Sequence, residues 1–225
     1  MNFLELCQRV RQECGVAGSG PTAVTSQVNV MARIVDWTRR AWIDIQSKYP
    51  FWKFLRNQET KVLVIDQREY SLKTDWGLDT VDKFDRENFY IYDVSAEDET
   101  KLTFKPYGEF RRMFRTFSPG RPSIYTELPG GSIAFDRIPD AAYTITFDYW
   151  MTPEKMTEND DIPSLPEHFH DVIVWKATMM FAGNETATEV FQYAKSQFDP
   201  LYARLFVDQA DPPGTRENFP LNRTF

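Results

Sequence analysis

The sequence predicts an α+β fold: a four-helix bundle, an antiparallel β-sheet or sandwich inserted between helices 2 and 3, and an extended C-terminal arm. Three observations predict it. Apolar residues recur at three- and four-residue steps near both ends of the chain, as in helices that bury one face. The middle holds short stretches of β-branched and aromatic residues between turn residues. The last residues, 208–225, show no periodicity and carry two adjacent prolines and Gly214.

The elements follow in order. Residues 2–14 are expected as a first helix, with Phe3, Cys7, Val10 and Cys14 on one face and Gly15 as its stop. Ser26 is expected to cap a second helix. Val28, Met31, Val35, Trp42, Ile45 and Tyr49 form its stripe, which Ile34, Trp37 and Ala41 widen enough to face more than one partner. Pro50 ends it, and the aromatic knot Phe51 to Leu55 follows. Strands are expected at 60–65 and 68–72 around a turn at Asp66-Gln67, then at 88–94, 101–107, 122–128, 131–138 and 143–150. Residues 107–114 read as a short helix among them. A third helix is expected over 167–182, broken by Gly183-Asn184, and a fourth over 185–207. The resulting organisation is a bundle of 1–55 with 160–207, a β-rich domain of 56–152, a linker of 153–159 and an arm of 208–225.

Composition narrows the function. The 225 residues include 18 Phe, 10 Tyr and 6 Trp, enough for a packed core. The net charge of −7 lacks the basic surplus that supplies most of a nucleic-acid binder's affinity. Cys7 and Cys14 lie ~10 Å apart on a helix, beyond the ~7 Å a disulfide tolerates, and read as buried thiols in a reducing compartment. The first residues lack the apolar core of a signal peptide, and no run has membrane-spanning length.

The chemistry-bearing residues form no catalytic pattern. His168 and His170 are two apart, so on a helix they point to different faces; they read as a partly exposed first turn rather than a zinc pair. Glu158 to Asp161 lacks the glycine and terminal Glu of a calcium loop, and reads as an acidic linker ahead of a helix N-terminus. The glycines at 15, 18 and 20 lack a P-loop ending, and no nucleophile elbow exists. No enzyme, metal or cofactor is expected. The basic, aromatic run Phe110 to Arg115 points to a subunit interface through Arg111, Arg112 and Arg115, with Trp37 as a further interface candidate. Phe219, Leu221 and Phe225 lie in a stretch too irregular for its own core and are expected to bind a partner.

The order of these pieces carries a resemblance. The knot Tyr49-Pro50-Phe51-Trp52-Lys53-Phe54-Leu55, the strand Tyr143 to Trp150 and the segment Asp161-Ile162-Pro163-Ser164-Leu165-Pro166-Glu167 before a helix look like head-to-tail adaptor proteins of tailed bacteriophages. The likeness covers the first 55 residues and 143–207. It implies a virion connector: a ring, typically dodecameric, beneath the portal protein, made in the host cytoplasm. The implied partners are the portal, neighbouring copies and a downstream tail or nozzle protein. The ring would extend the DNA channel, pass DNA without sequence-specific binding, and touch no membrane. The C-terminal arm of such proteins reaches toward the portal. Three alternatives stand beside this reading: another tail-completion or baseplate protein, a metal-dependent hydrolase, and a DNA-binding accessory factor using Arg111, Arg112 and Arg115.

Overall fold

The computed structural model describes residues 1–210. Among them are five α-helices and two sheets of four strands each, so the class is α+β. The chain divides into two compact units, Met1–Leu55 with the chain from Pro153 on, and Arg56–Thr152.

The helical unit begins with α1 (Phe3–Glu13). Asn2 caps it reciprocally: its side-chain oxygen accepts the Glu5 N–H, and the Glu5 carboxylate accepts the Asn2 N–H, both at 2.9 Å. Phe3, Leu6, Cys7 and Val10 are buried, so Leu6 joins the expected stripe while Cys14 sits half-buried past its end. Helix α2 (Asn29–Ser47) starts later than expected. Ser26 is not its cap: Ser26 and Asn29 take left-handed φ of 58° and 53°, Val28 holds the cap position, and no side chain caps the helix. Val28 consequently leaves the stripe and is 69% exposed.

Helix α4 (Asp171–Asn184) and helix α5 (Thr188–Gln209) complete the unit; α3 belongs to the other. Gly183 and Asn184 do not break α4 but form its last turn, with the cap at Glu185. Val172, Ile173, Val174, Ala177, Thr178, Phe181 and Ala182 make α4 apolar nearly all round, because α1, α2 and α5 all pack against it. Helix α5 passes through Pro200, a residue that normally ends a helix. Phe198 and Leu205 are buried on either side of it and anchor both halves of the helix in the core. The helix extends to Gln209, so the first positions of the expected arm are helical, and residues 211–225 lie outside the described residues.

The second unit is a pair of sheets. One has the order β1 (Arg56–Val62), β8 (Thr144–Met151), β3 (Val81–Asp93), β4 (Asp98–Lys101), with every neighbouring pair antiparallel. The other has the order β2 (Glu69–Ser71), β7 (Ser132–Phe135), β6 (Ile124–Leu128), β5 (Thr103–Phe104). Here the expectation of wholly antiparallel pairing fails, because β5 runs parallel to β6. The chain passes between them through α3 (Tyr107–Met113), so the two strands need not form a hairpin. β1 and β2 flank the expected turn but lie in different sheets. Tyr70 fixes the crossing: its hydroxyl accepts the Val64 N–H at 2.9 Å and donates to the Gln67 carbonyl at 2.7 Å.

A continuous stack of rings fills the space between the sheets. Tyr70, Trp76, Phe147, Phe89 and Tyr125 follow one another at centroid distances of 5.4, 5.4, 4.9 and 4.1 Å. Phe147 and Phe89 come from one sheet, Tyr70 and Tyr125 from the other, and Trp76 enters from the turn after β2. Offset stacking at these spacings adds roughly 0.5–1.5 kcal/mol per pair beyond the area buried.

Candidate functional site

No group of three His, Cys, Asp or Glu is placed to hold a metal among the described residues. Both thiols are free; burial pushes Cys7 up to about 12 and Cys14 up to about 11, far from a reactive thiolate. His168 is exposed, but His170 is buried, contrary to the expected partly exposed turn. One nitrogen of the His170 ring meets the Leu165 carbonyl at 2.9 Å, and burial lowers its pKa. The His170 side chain therefore holds the turn from Leu165 into α4.

The acidic linker also has a structural role, at a different helix from the one expected. The Asp161 and Asn159 carbonyls accept the Phe3 and Leu4 N–H groups at 2.8 and 3.1 Å, closing the first turn of α1. The Asp161 carboxylate accepts the Thr157 and Glu158 N–H groups, which holds its pKa below the usual carboxylate range. One carboxylate oxygen, Oδ2, takes both of these bonds and that of the Thr157 hydroxyl, as a turn requires.

What remains is surface, and three features stand out. The first is the aromatic knot. Trp52 is fully buried, stacks on Phe54 at 5.3 Å, meets Tyr49 and Phe206 edge-on, and donates its indole N–H to the Gln46 carbonyl. Trp52 also forms a β-bridge with Ala210, and Lys53 donates to the Asp208 carbonyl at 2.9 Å. The knot thus fixes the point where the chain leaves α5 toward 211–225. Beside it lies an open depression lined by Lys53, His168, Phe169, Arg204 and Val207. Phe219, Leu221 and Phe225 lie outside the described residues.

The second feature is α3. Arg111, Arg112 and Arg115 are all exposed, with Met113 53% exposed among them. Arg112 donates to the Gly108 carbonyl of its own helix. Phe110 alone anchors the segment in the core. Trp37 lies on α2 in the other unit, half-buried, with the Arg40 guanidinium 5.2 Å from its ring centroid and its indole N–H buried without a hydrogen-bond partner.

The third is a pair of open strand edges at β1 and β4. Periodicity does not reveal it, since pairing partners are not encoded in a strand's own alternation. One further group escaped the sequence reading. The buried Gln46 side chain donates to the Glu154 carbonyl at 3.0 Å and accepts the Glu154 N–H at 2.9 Å, as a neighbouring strand would. Its only sequence signal is a polar residue on an apolar stripe.

A family model described as SU10 adaptor protein matches residues 1–217. No curated protein matches the chain.

Proposed function

The chain belongs to the SU10 adaptor protein family, phage head-to-tail adaptors, and from that premise we propose that it assembles as a ring, of twelve copies in the typical case, beneath the portal. The family is one of structural phage proteins whose partners in general are the portal and the tail, which supports a location in the virion. No helix of the described residues is long and apolar enough to cross a membrane. The family match over nearly the whole chain is the observation that carries the reading.

In the proposed mechanism the work is assembly. The chain is made as a soluble monomer in the host cytoplasm and oligomerises on the portal. The ring extends the DNA channel, joins the capsid vertex to the tail, and helps retain packaged DNA. The helical unit, 1–55 with 160–207, surrounds the channel; the β-rich unit, an insertion within it, faces outward or toward the next tail component. Net negative charge favours a conduit through which DNA slides without sequence-specific grip. Trp37, Arg111, Arg112 and Arg115 serve contacts between copies. Arginines around an exposed methionine are the composition of an interface rather than of a solvated turn.

The C-terminal segment carries the portal contact through Phe219, Leu221 and Phe225. Deletion should begin at 211, since α5 and the Trp52–Ala210 bridge occupy the positions before it. Loss of portal binding with unchanged circular dichroism is the expected result. Unimpaired binding by the shortened chain would remove the segment from the mechanism.

A further inference from the structure

The sheet β1-β8-β3-β4 ends in two open edges that differ in character. At one edge, β1 ends on Val62, which is 58% exposed, and Val64 and Ile65 just past it are 56 and 52% exposed, in a stretch from Thr60 to Ile65 with neither proline nor glycine. An isolated edge of that kind is a hazard that folds normally blunt. At the other edge, all residues of β4 are exposed, so this strand buries nothing in its own unit.

The two edges match in direction and in height. Each neighbouring pair in the sheet is antiparallel, so across its strands β4 runs opposite to β1. A copy added sideways by rotation therefore meets β4 with an antiparallel β1, and the alternation continues. The register aligns Thr60 with Thr146, Tyr90 and Lys101; Lys61 with Ile145, Ile91 and Thr100; and Val62 with Thr144, Tyr92 and Glu99. The edges thus stand level, and no sliding is needed for pairing. A contact that joins one surface to a different surface on the next copy is heterologous, and when its rotation closes it makes a ring.

We propose that β4 of one copy pairs with β1 of a second copy of this chain, so that copies are joined by a β-sheet continued from subunit to subunit. This deepens the ring reading above and rests on it. The incoming β4 satisfies the outer backbone groups of β1 and covers Val62. Pairing β1 with β1 would leave both β4 edges open, whereas β4 with β1 repeats from copy to copy around a ring.

Cysteine cross-linking in the full-length chain tests it. Lys101→Cys, which the register sets level with Thr60 and on the same face of the sheet, is combined in turn with Gln58→Cys, Thr60→Cys or Val62→Cys, which allows for a shear of one residue pair either way. Within one copy these positions stand three strand spacings apart, ~14 Å, beyond the ~7 Å limit for a disulfide, so any bond between them joins two copies. The assembly is formed with portal protein, its mass is measured, and it is oxidised. The expected result is a covalent ladder from at least one pair, and none from the parent chain under the same oxidation. A ring of the right mass with no ladder from any pair overturns the edge pairing and leaves the ring reading standing. No ring at all overturns both.

Discussion

The two units hold themselves together in different ways. The β unit is one continuous stretch of chain, and its core is a stack of aromatic rings between two sheets. The helical unit is made of two stretches separated by the whole β unit, and its core is the apolar α4 wrapped by α1, α2 and α5. Polar clasps tie the later stretch of the helical unit to the earlier one: Gln46 to Glu154, and the 157–161 turn to the start of α1. A contiguous unit needs only its own packing, whereas a unit built from distant segments needs specific groups that recognise the returning chain. Buried hydrogen-bonded groups suit that task because leaving either partner unpaired is expensive.

Four substitutions or conditions break or sharpen this contrast. The largest effect is expected from Phe147→Ala at the centre of the ring stack, which should cost the β unit about 3–5 kcal/mol. Amide exchange should accelerate throughout 56–152 and far less in α4; equal acceleration in both would show a single cooperative block. Next, Gln46→Leu leaves both backbone groups of the half-buried Glu154 without their partner, for about 1–3 kcal/mol of lost stability. A melting temperature unchanged from the parent would remove Gln46 from the account.

Third, acidification should weaken the helical unit specifically. Burial lowers the His170 pKa in the fold, so the unfolded chain binds the proton first as pH falls. The stability that depends on neutral His170 is present above the unfolded value of about 6.5 and is lost as pH drops through the lower folded value. Protection factors in 165–180, which divide out the intrinsic pH dependence of amide exchange, should fall as the pH drops from 7.5 to 5.5, and His170→Asn should flatten that dependence. The smallest effect is expected from Arg86→Ala, which removes an exposed paired contact to Glu127 and a cation over the Phe104 ring, for about 0.5–1 kcal/mol.

The same contrast explains what the sequence discloses. Helix positions and faces were legible because Phe3, Cys7 and Val10, or Val35, Trp42 and Ile45, repeat at helical spacing and are buried. The start of α2 was not, because Ser26 has the chemistry of a cap but a left-handed backbone. Strand β8 was legible from its alternation. The first half of β3, Val81 to Glu87, was hidden by its charges and by register shifts against β8 that break the two-residue period. Trp76 sits in a turn yet belongs to the core. Gln46, Tyr70 and Asp136 act through partners distant in sequence or across a turn; Asp136 accepts the Ser123 and Ile124 N–H groups, and nothing in its own segment announces that. Of the surfaces, the arginines of α3 were visible as a run, while the open edges of β1 and β4 required the sheet order.

The central claim is that this chain is an adaptor that becomes a ring on the portal. Light scattering of the purified protein, alone and mixed with portal protein, tests it most directly. The account predicts a monomer alone and a ring-sized complex with portal. A chain that stays monomeric in the presence of portal would contradict it.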